Sequence, residues 1–447
     1  MTNPTYVEVE RALLARWPET KLEPSLDRIR ALCRLMGDPQ NAYPVIQLTG
    51  TNGKSSTARM IDALLRELAV RTGRFTSPHL VSMTERVSID GAPLSEELFV
   101  EAYADVAAYA QVVDDTQPVP LSYFEMMVGL AYAAFADAPV DVAVVEVGMG
   151  GAWDATNVVD AAVAVLTPID VDHSRYLGDT PGEIAVEKAG IIKSGAQVVT
   201  AAQPEDAAAE IAARAAEVGA TLHREGVDFG VVERTPAMGG QLLTLQGLSA
   251  RYDEVFLPLF GEHQARNASY ALAAVEAFTG KRELDAEIVR TAFASVTSPG
   301  RLEVVRRSPT VVLDAAHNPA GARATAEAVQ EAFAFTPLIG VVGVMADKDV
   351  DEILLAFEPV MAEIVCTQNA SDRAMPAEEL ADVAEGIFGA DRVHVARSLP
   401  DALEKAVALS ESDRYGEGVG GGGVLVTGSV VTAGEARVLL AREESVD

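Results

Sequence analysis

The sequence predicts an α/β protein: an N-terminal P-loop ATPase domain with a parallel sheet plus a small antiparallel sheet, and a smaller Rossmann-like C-terminal domain. Three observations predict it. Apolar runs of strand length alternate with helix-length segments along almost the whole chain. A glycine-bounded loop, Thr49-Gly50-Thr51-Asn52-Gly53-Lys54-Ser55-Ser56-Thr57, lies between one such run and a helical segment. A turn cluster, Ser298-Pro299-Gly300-Arg301, interrupts the alternation, which then restarts. The expected domains are therefore residues 1–297 and 298–447.

In order along the chain, strands are expected at 45–48, 142–147, 162–166 and 197–200, where short apolar runs are bounded by polar or glycine positions. Helices are expected at 54–68, 96–112, 124–135 and 204–218, where apolar residues recur at helical spacing. Residues 226–260 change texture. Short alternating stretches such as Gln241-Leu242-Leu243-Thr244-Leu245 sit between glycines and suit antiparallel strands. Helices at 264–279 and 285–296 follow. Beyond the turn cluster, strands at 310–313, 338–344, 364–367 and 424–426 alternate with helices at 320–333, 350–360, 377–387, 399–409 and 433–440. The glycine-rich stretch 416–423 reads as a flexible surface turn, and no internal repeat is found.

The loop at 49–57 carries the first chemistry. Glycines let the backbone approach phosphates, and the following helix presents its positive end. Lys54 can neutralise phosphate charge, and a hydroxyl at Ser55 or Ser56 can face a magnesium ion. The usual spacing places a further glycine where this chain has Leu48, so the loop is a shortened variant. Gly50, Thr51, Asn52, Gly53, Lys54, Ser55 and Ser56 are the expected phosphate-binding set.

Other strand ends add to it. Glu146 closes an apolar strand just before Gly148-Met149-Gly150-Gly151, where a carboxylate near a phosphate loop holds magnesium. His173 follows a second strand end, after Asp170-Val171-Asp172, and is a second candidate ligand. Asp314, His317 and Asn318 crowd the end of the first strand after the boundary, where a doubly wound sheet binds ligands. Arg301, at the boundary turn, is a cation able to reach phosphates. By composition alone, Lys188 is a solvated surface lysine.

The 447 residues are 49% hydrophobic, enough for large cores, and the formal charge is −31. Such a surface repels nucleic acid and anionic membranes, so neither is an expected partner. The two cysteines, Cys33 and Cys366, lack metal-ligand spacing and suit buried thiols in a reducing cytoplasm. No basic-then-apolar leader opens the sequence, and no apolar run reaches membrane-spanning length. A cytoplasmic monomer is expected.

The ordered set of motifs resembles the folylpolyglutamate synthase/dihydrofolate synthase family, itself similar to the Mur ligases. The set comprises the phosphate loop, Ser77-Pro78-His79-Leu80, 146–157, Asp172-His173, Glu187-Lys188-Ala189-Gly190-Ile191, Gly261-Glu262-His263-Gln264 with Asn267, Pro299-Gly300-Arg301, 314–319 and Asp347-Lys348-Asp349. The resemblance covers nearly the whole chain. It implies an ATP- and magnesium-dependent ligase that adds L-glutamate to dihydropteroate or to reduced folates through an acyl phosphate. It implies ATP contacts at Asn267, Arg301 and Asp314, and metal ligands at Ser77, Glu146, His173 and a carbamylated Lys188. It places the pterin against Ser122-Tyr123-Phe124-Glu125 and Trp153-Asp154-Ala155, with Leu22-Glu23-Pro24 alongside. His317 is assigned to the glutamate side, and Lys54, Lys188 and His317 are the expected catalytic set. One position departs from the family pattern: Ala152 stands where Arg usually follows the two glycines. Two alternatives stay open. One is a Mur-type amide ligase acting on a different acid, disfavoured because fewer than 50 residues precede Gly50. The other is a non-catalytic protein that binds ATP and folate.

Overall fold

A computed structural model describes residues 4–18, 23–172, 174–412, 414 and 421–444. The chain divides into two compact units. One comprises residues 1–234, 242–257 and 265–296, and the other 235–241, 258–264 and 297–447.

The first unit is built on eight strands: β1 (Val45–Thr49), β2 (Thr72–Phe75), β3 (Val87–Ile89), β4 (Ala92–Pro93), β5 (Val142–Glu146), β6 (Val163–Leu166), β7 (Gln197–Thr200) and β8 (Thr221–Arg224), in the order β4-β3-β2-β5-β1-β6-β7-β8. From β2 to β8 the neighbours run parallel, whereas β3 pairs antiparallel with both β2 and β4. Both faces of β1 and β5 are buried, so these strands read as continuous apolar runs. The register sets Leu48 beside Glu146 on one side and beside Val165 on the other. The loops leaving β1, β5 and β6 therefore emerge together at one edge of the sheet.

A three-stranded sheet follows, β9 (Gly230–Ala237), β10 (Gly240–Gln246) and β11 (Arg251–Leu257), ordered β11-β10-β9. The two residues joining β9 to β10 require an antiparallel pair. The second unit carries β12 (Glu303–Arg307), β13 (Thr310–Leu313), β14 (Leu338–Val342), β15 (Glu363–Cys366), β16 (Val393–Val395) and β17 (Gly423–Thr427), ordered β12-β13-β17-β14-β15-β16. All but β12 are parallel, as a doubly wound sheet requires. Gly423 begins β17; residues 415–420 of the glycine-rich stretch lie outside the described residues. Among the described residues no helix is long and apolar enough to cross a membrane.

Several elements had no sequence expectation: helices Tyr6–Leu14 and Asp27–Leu35, and strands β2, β3, β4, β8, β12 and β16. β2 shows why. Its sequence is Thr72-Gly73-Arg74-Phe75, and all four residues are buried. Gly73 admits the Phe135 ring, which an added Cβ would meet at 2.6 Å. Arg74 is buried only because Asp62, on helix Lys54–Glu67, accepts from its NH1 at 2.7 Å. Asp62 also accepts from Thr72 at 2.5 Å, and Arg74 donates to Ser88 at 3.0 Å. This pair ties the helix that follows the phosphate loop to β2 and β3. Asp62→Ala should cost about 3–5 kcal/mol, because it strands a buried guanidinium. Denaturant unfolding checks this, and a midpoint equal to wild type would show that the pair is not structural.

Candidate active site

The phosphate loop leaves β1 and is fastened on two sides. Gly50, at φ +149°, lies against Thr167, whose Oγ1 would be 1.9 Å from a Cβ at this position. Thr51 Oγ1 donates to the Asp170 carbonyl at 2.8 Å and accepts from the Asp170 amide at 3.0 Å. The amides of Thr51 and Asn52 turn to the Pro168 carbonyl at 2.9 and 3.5 Å. The first helical bond runs from Thr57 N–H to Gly53 O at 2.9 Å, so the amides of residues 53–56 lie outside the helix's own ladder. Those four are the donors suited to phosphate. Gly53 adopts φ +89°, and a Cβ there would fall 2.5 Å from Asn267 Oδ1. Asn267 is thus brought to the loop. Of the two candidate hydroxyls, Ser55 is half-buried and donates to Glu146 Oε1 at 2.9 Å, while Ser56 is buried within the first turn.

Glu146 is 1% exposed. Its second oxygen accepts from the Ser77 amide at 3.3 Å, so it joins the phosphate loop to the segment after β2. The Gly50 carbonyl accepts from two lysines, Lys54 Nζ at 3.0 Å and Lys188 Nζ at 2.9 Å. Lys54 also donates to Thr51 O at 3.1 Å. Lys188 corrects the reading from composition. It is 4% exposed, at the C-terminal end of helix Pro181–Lys188, not solvated. Burial first, and then the Lys54 ammonium, pull its pKa down to about 7; Asp172, Asp154 and Glu187 oppose the shift. His173 lies outside the described residues.

The segments assigned to the pterin meet in the same unit. Ser122 caps helix Tyr123–Asp137 in a capping box with Glu125, at 3.1 and 2.8 Å. Glu125 is also gripped by Arg28 Nε at 3.0 and 3.1 Å, and Arg28 reaches the Glu23 carbonyl at 2.8 Å. The polar groups of Ser122 and Glu125 thus build the site's frame. Pro24 is exposed beside Glu23, and Leu22 lies outside the described residues. Phe124 and Trp153 are half-buried and flank the glycine loop: a Cβ at Gly148 would meet Phe124 at 2.4 Å, and one at Gly150 would meet Trp153 at 3.1 Å. Tyr123 is buried and lies under the Arg86 guanidinium, 5.0 Å from the ring centroid. Asp154 is 3% exposed and faces inward, accepting from Met149 N at 2.9 Å and from Thr156 N at 2.9 Å. Ala155 is buried beside it. Asp154 shapes the loop that displays Trp153.

In the second unit, Arg301, Asp314 and His317 gather at the end of β13. Asp314 is 4% exposed; burial raises its pKa, and Arg301 counteracts this. Its oxygens accept from Leu302 N at 3.0 Å, Ala316 N at 2.9 Å and Thr325 Oγ1 at 2.9 Å, which fastens the turn. His317 is half-buried, with Nδ1 3.0 Å from the Ala315 carbonyl.

Two family descriptions match this architecture: "Mur ligase middle domain" over residues 48–275 and "Mur ligase, glutamate ligase domain" over residues 300–430. The dihydrofolate synthase/folylpolyglutamate synthase of Mycobacterium tuberculosis is 49% identical, over 98% of this chain and 94% of its own length. The chain belongs to the folylpolyglutamate synthase/dihydrofolate synthase family of Mur ligases. Among solved structures, M. tuberculosis folylpolyglutamate synthase complexed with ADP matches with a TM-score of 0.94 at 49% identity, covering 98% of both chains. E. coli FolC in complex with DHPP and ADP matches with a TM-score of 0.85 at 29% identity, over 99% of this chain and all of that one.

Seen as a member of this family, the chain holds two features that the sequence did not announce. The Thr51–Asp170 pair clips the phosphate loop to the segment after β6 and has no sequence signature. Glu187 is the other. Its carboxylate accepts from Trp153 N at 3.0 Å and its carbonyl from Ala152 N at 3.0 Å, docking the glycine loop on the helix that carries Lys188. Gly53→Ala should weaken ATP or ADP binding at least about tenfold. A left-handed non-glycine residue costs about 1–2 kcal/mol, and the clash with Asn267 adds to that. Calorimetric titration measures it, and wild-type affinity would contradict the loop assignment.

Proposed function

We propose that the protein is an ATP-dependent ligase that joins L-glutamate to dihydropteroate, to the γ-carboxylate of reduced folates, or to both, forming ADP and phosphate. The observation that carries this reading is a likeness over 98% of the chain to a dihydrofolate synthase/folylpolyglutamate synthase. The convergence of the phosphate loop, Glu146 and Lys188 on one sheet edge supports it. In this reading residues 1–297 bind ATP and the pterin acid, and residues 298–447 serve glutamate addition.

A carboxylate is a poor electrophile because its leaving group would be oxide. In the first step a substrate carboxylate oxygen bonds to the γ-phosphorus of ATP, the bond to the bridging oxygen breaks, and ADP leaves. The glutamate amine then attacks the acyl carbon, phosphate departs, and the amine proton is lost. The loop amides at 53–56 and the Lys54 ammonium offset the crowding of two anions in the first step. Asn267, Arg301 and Asp314 are assigned to the nucleotide. Phe124 and Trp153 offer aromatic surface to the flat pterin, framed by Glu23, Pro24, Ser122, Tyr123, Glu125, Asp154 and Ala155. His317 is assigned to the glutamate side.

The donors present suit magnesium. Glu146 and Ser77 offer oxygen, which a hard cation prefers. Magnesium on a nucleotide takes one or two carboxylates and completes its shell with phosphate and water. Ser77, Glu146, His173 and a carbamylated Lys188 would hold it, and when bound it supplies further neutralisation of phosphate charge. Lys188 is chemically suited to carbamylation. A neutral amine adds to CO₂ with loss of one proton, and burial lowers the Lys188 pKa to about 7, which enlarges its neutral fraction.

The direct test is ADP release that requires both glutamate and a pterin acid, with dihydropteroate and a monoglutamylated reduced folate assayed side by side. Multiple-turnover release independent of glutamate would defeat the proposal. Lys54→Ala should lower kcat by about 10²–10³ in folded protein; near wild-type ligation would refute its role. With ¹³C-bicarbonate, a carbamate resonance lost in Lys188→Ala is expected. Because the amine's pKa is lowered to about 7, carbamate should form progressively as pH rises through that value. No resonance at pH 8 would count against it. Ala152→Arg should improve kcat/KM for at least one of the two acids; a tenfold gain is about 1.4 kcal/mol. Unchanged or lower values would identify alanine as adapted to this cleft.

A further inference from the structure

Residues 76–86 form a loop that the proposed chemistry leaves unused, apart from Ser77. It is closed on itself. Thr76 N–H donates to Arg86 O at 3.0 Å, sealing the base. The Glu85 carboxylate accepts from the amides of Leu80, Val81 and Ser82 at 2.9, 3.0 and 2.9 Å, filling the interior. A loop organised in this way is packed by its own side chains. At one end the Ser77 amide holds Glu146. At the base, Arg86 is 3% exposed, donates from Nε to His79 Nδ1 at 2.9 Å, and stacks on the Tyr123 ring. Tyr6 steadies the loop from another side, with its hydroxyl 3.1 Å from Ser82 Oγ.

The direction of the His79–Arg86 bond is determined. An arginine Nε–H only donates, so Nδ1 of His79 must be the bare nitrogen. His79 therefore orients the guanidinium that lies over Tyr123. Tyr123 opens the helix whose first turn also presents Phe124, and its own amide donates to Trp17 O at 2.9 Å. Arg86 and His79 thus link the aromatic segment to the backbone that, two residues earlier, carries Ser77, whose amide meets Glu146 and through it Ser55 of the phosphate loop.

We infer that His79 and Arg86 are positioning residues: they set the 76–86 loop, and with it the Ser77–Glu146 pair, relative to the first turn of helix Tyr123–Asp137. The inference rests on the ligase reading, since it is Glu146 on the phosphate side whose placement is being set.

The test reads the magnesium needed for half-maximal ADP binding, by calorimetric titration, and for half-maximal glutamate-dependent ADP release, in wild type, His79→Ala, His79→Asn and Arg86→Lys, with melting temperature as the fold check. The two magnesium requirements are expected to move together. An asparagine Oδ1 reproduces the acceptor position of the imidazole Nδ1. His79→Ala and Arg86→Lys should each raise the magnesium needed for half-maximal rate by about tenfold, the range seen for residues that orient ligands. KM for glutamate should stay within about twofold. His79→Asn should recover to within about threefold of wild type, which a merely space-filling role for His79 would not produce. If His79→Ala does not fold, His79→Asn and Arg86→Lys carry the same comparison. A wild-type magnesium response in Arg86→Lys or His79→Ala would overturn the inference, as would an asparagine variant as impaired as alanine with an unchanged melting temperature. A wild type without glutamate-dependent turnover would defeat the ligase reading itself, which is read separately from the variants.

Discussion

The carbonyl oxygen of Gly50 is the point on which the cleft depends. It accepts both the Lys54 and the Lys188 side chains. Two ammonium groups sharing one acceptor repel each other, and burial, with Lys54 beside it, pulls the Lys188 pKa down. Gly50 can occupy that position because it has no side chain to collide with Thr167. Thr51 then locks the loop to Asp170, and Ser55 carries the linkage on to Glu146. Loop, carboxylate and lysine thus lie on three different chain segments but form one hydrogen-bonded assembly at the ends of β1, β5 and β6.

The same assembly explains why buried polar residues recur around it. Asp62 with Arg74 anchors the helix behind the loop, Asp154 shapes the turn after β5, and Glu187 docks that turn on the Lys188 helix. Each holds a neighbouring segment in place, and the Asp62, Asp154 and Glu187 carboxylates are all met by hydrogen bonds. In the second unit Asp314 plays a similar part, fastening the turn that carries His317.

The parallel sheets were legible because strands such as β5 are buried on both faces and read as unbroken apolar runs. The phosphate loop was legible because its glycines and lysine have fixed spacing between a strand and a helix. β2 was not, since Gly73 and Arg74 hide a buried strand behind a polar reading that only Asp62 makes possible. Lys188 was legible by resemblance alone: composition points it to solvent, and only the close approach of Gly50 shows why it is buried. The polar groups of Ser122 and Glu125 form a helix cap, a pairing that the resemblance did not imply. Pairings such as Thr51 with Asp170 join residues far apart in sequence and leave no trace in it.

In the proposed reaction this assembly activates a carboxylate by phosphoryl transfer before the amine attacks. The most direct measurement uses a pterin acid labelled with ¹⁸O in its reacting carboxylate, turned over with ATP and glutamate. An acyl phosphate requires one labelled oxygen to appear in the inorganic phosphate for each amide formed. Amide product accompanied by unlabelled phosphate would contradict it.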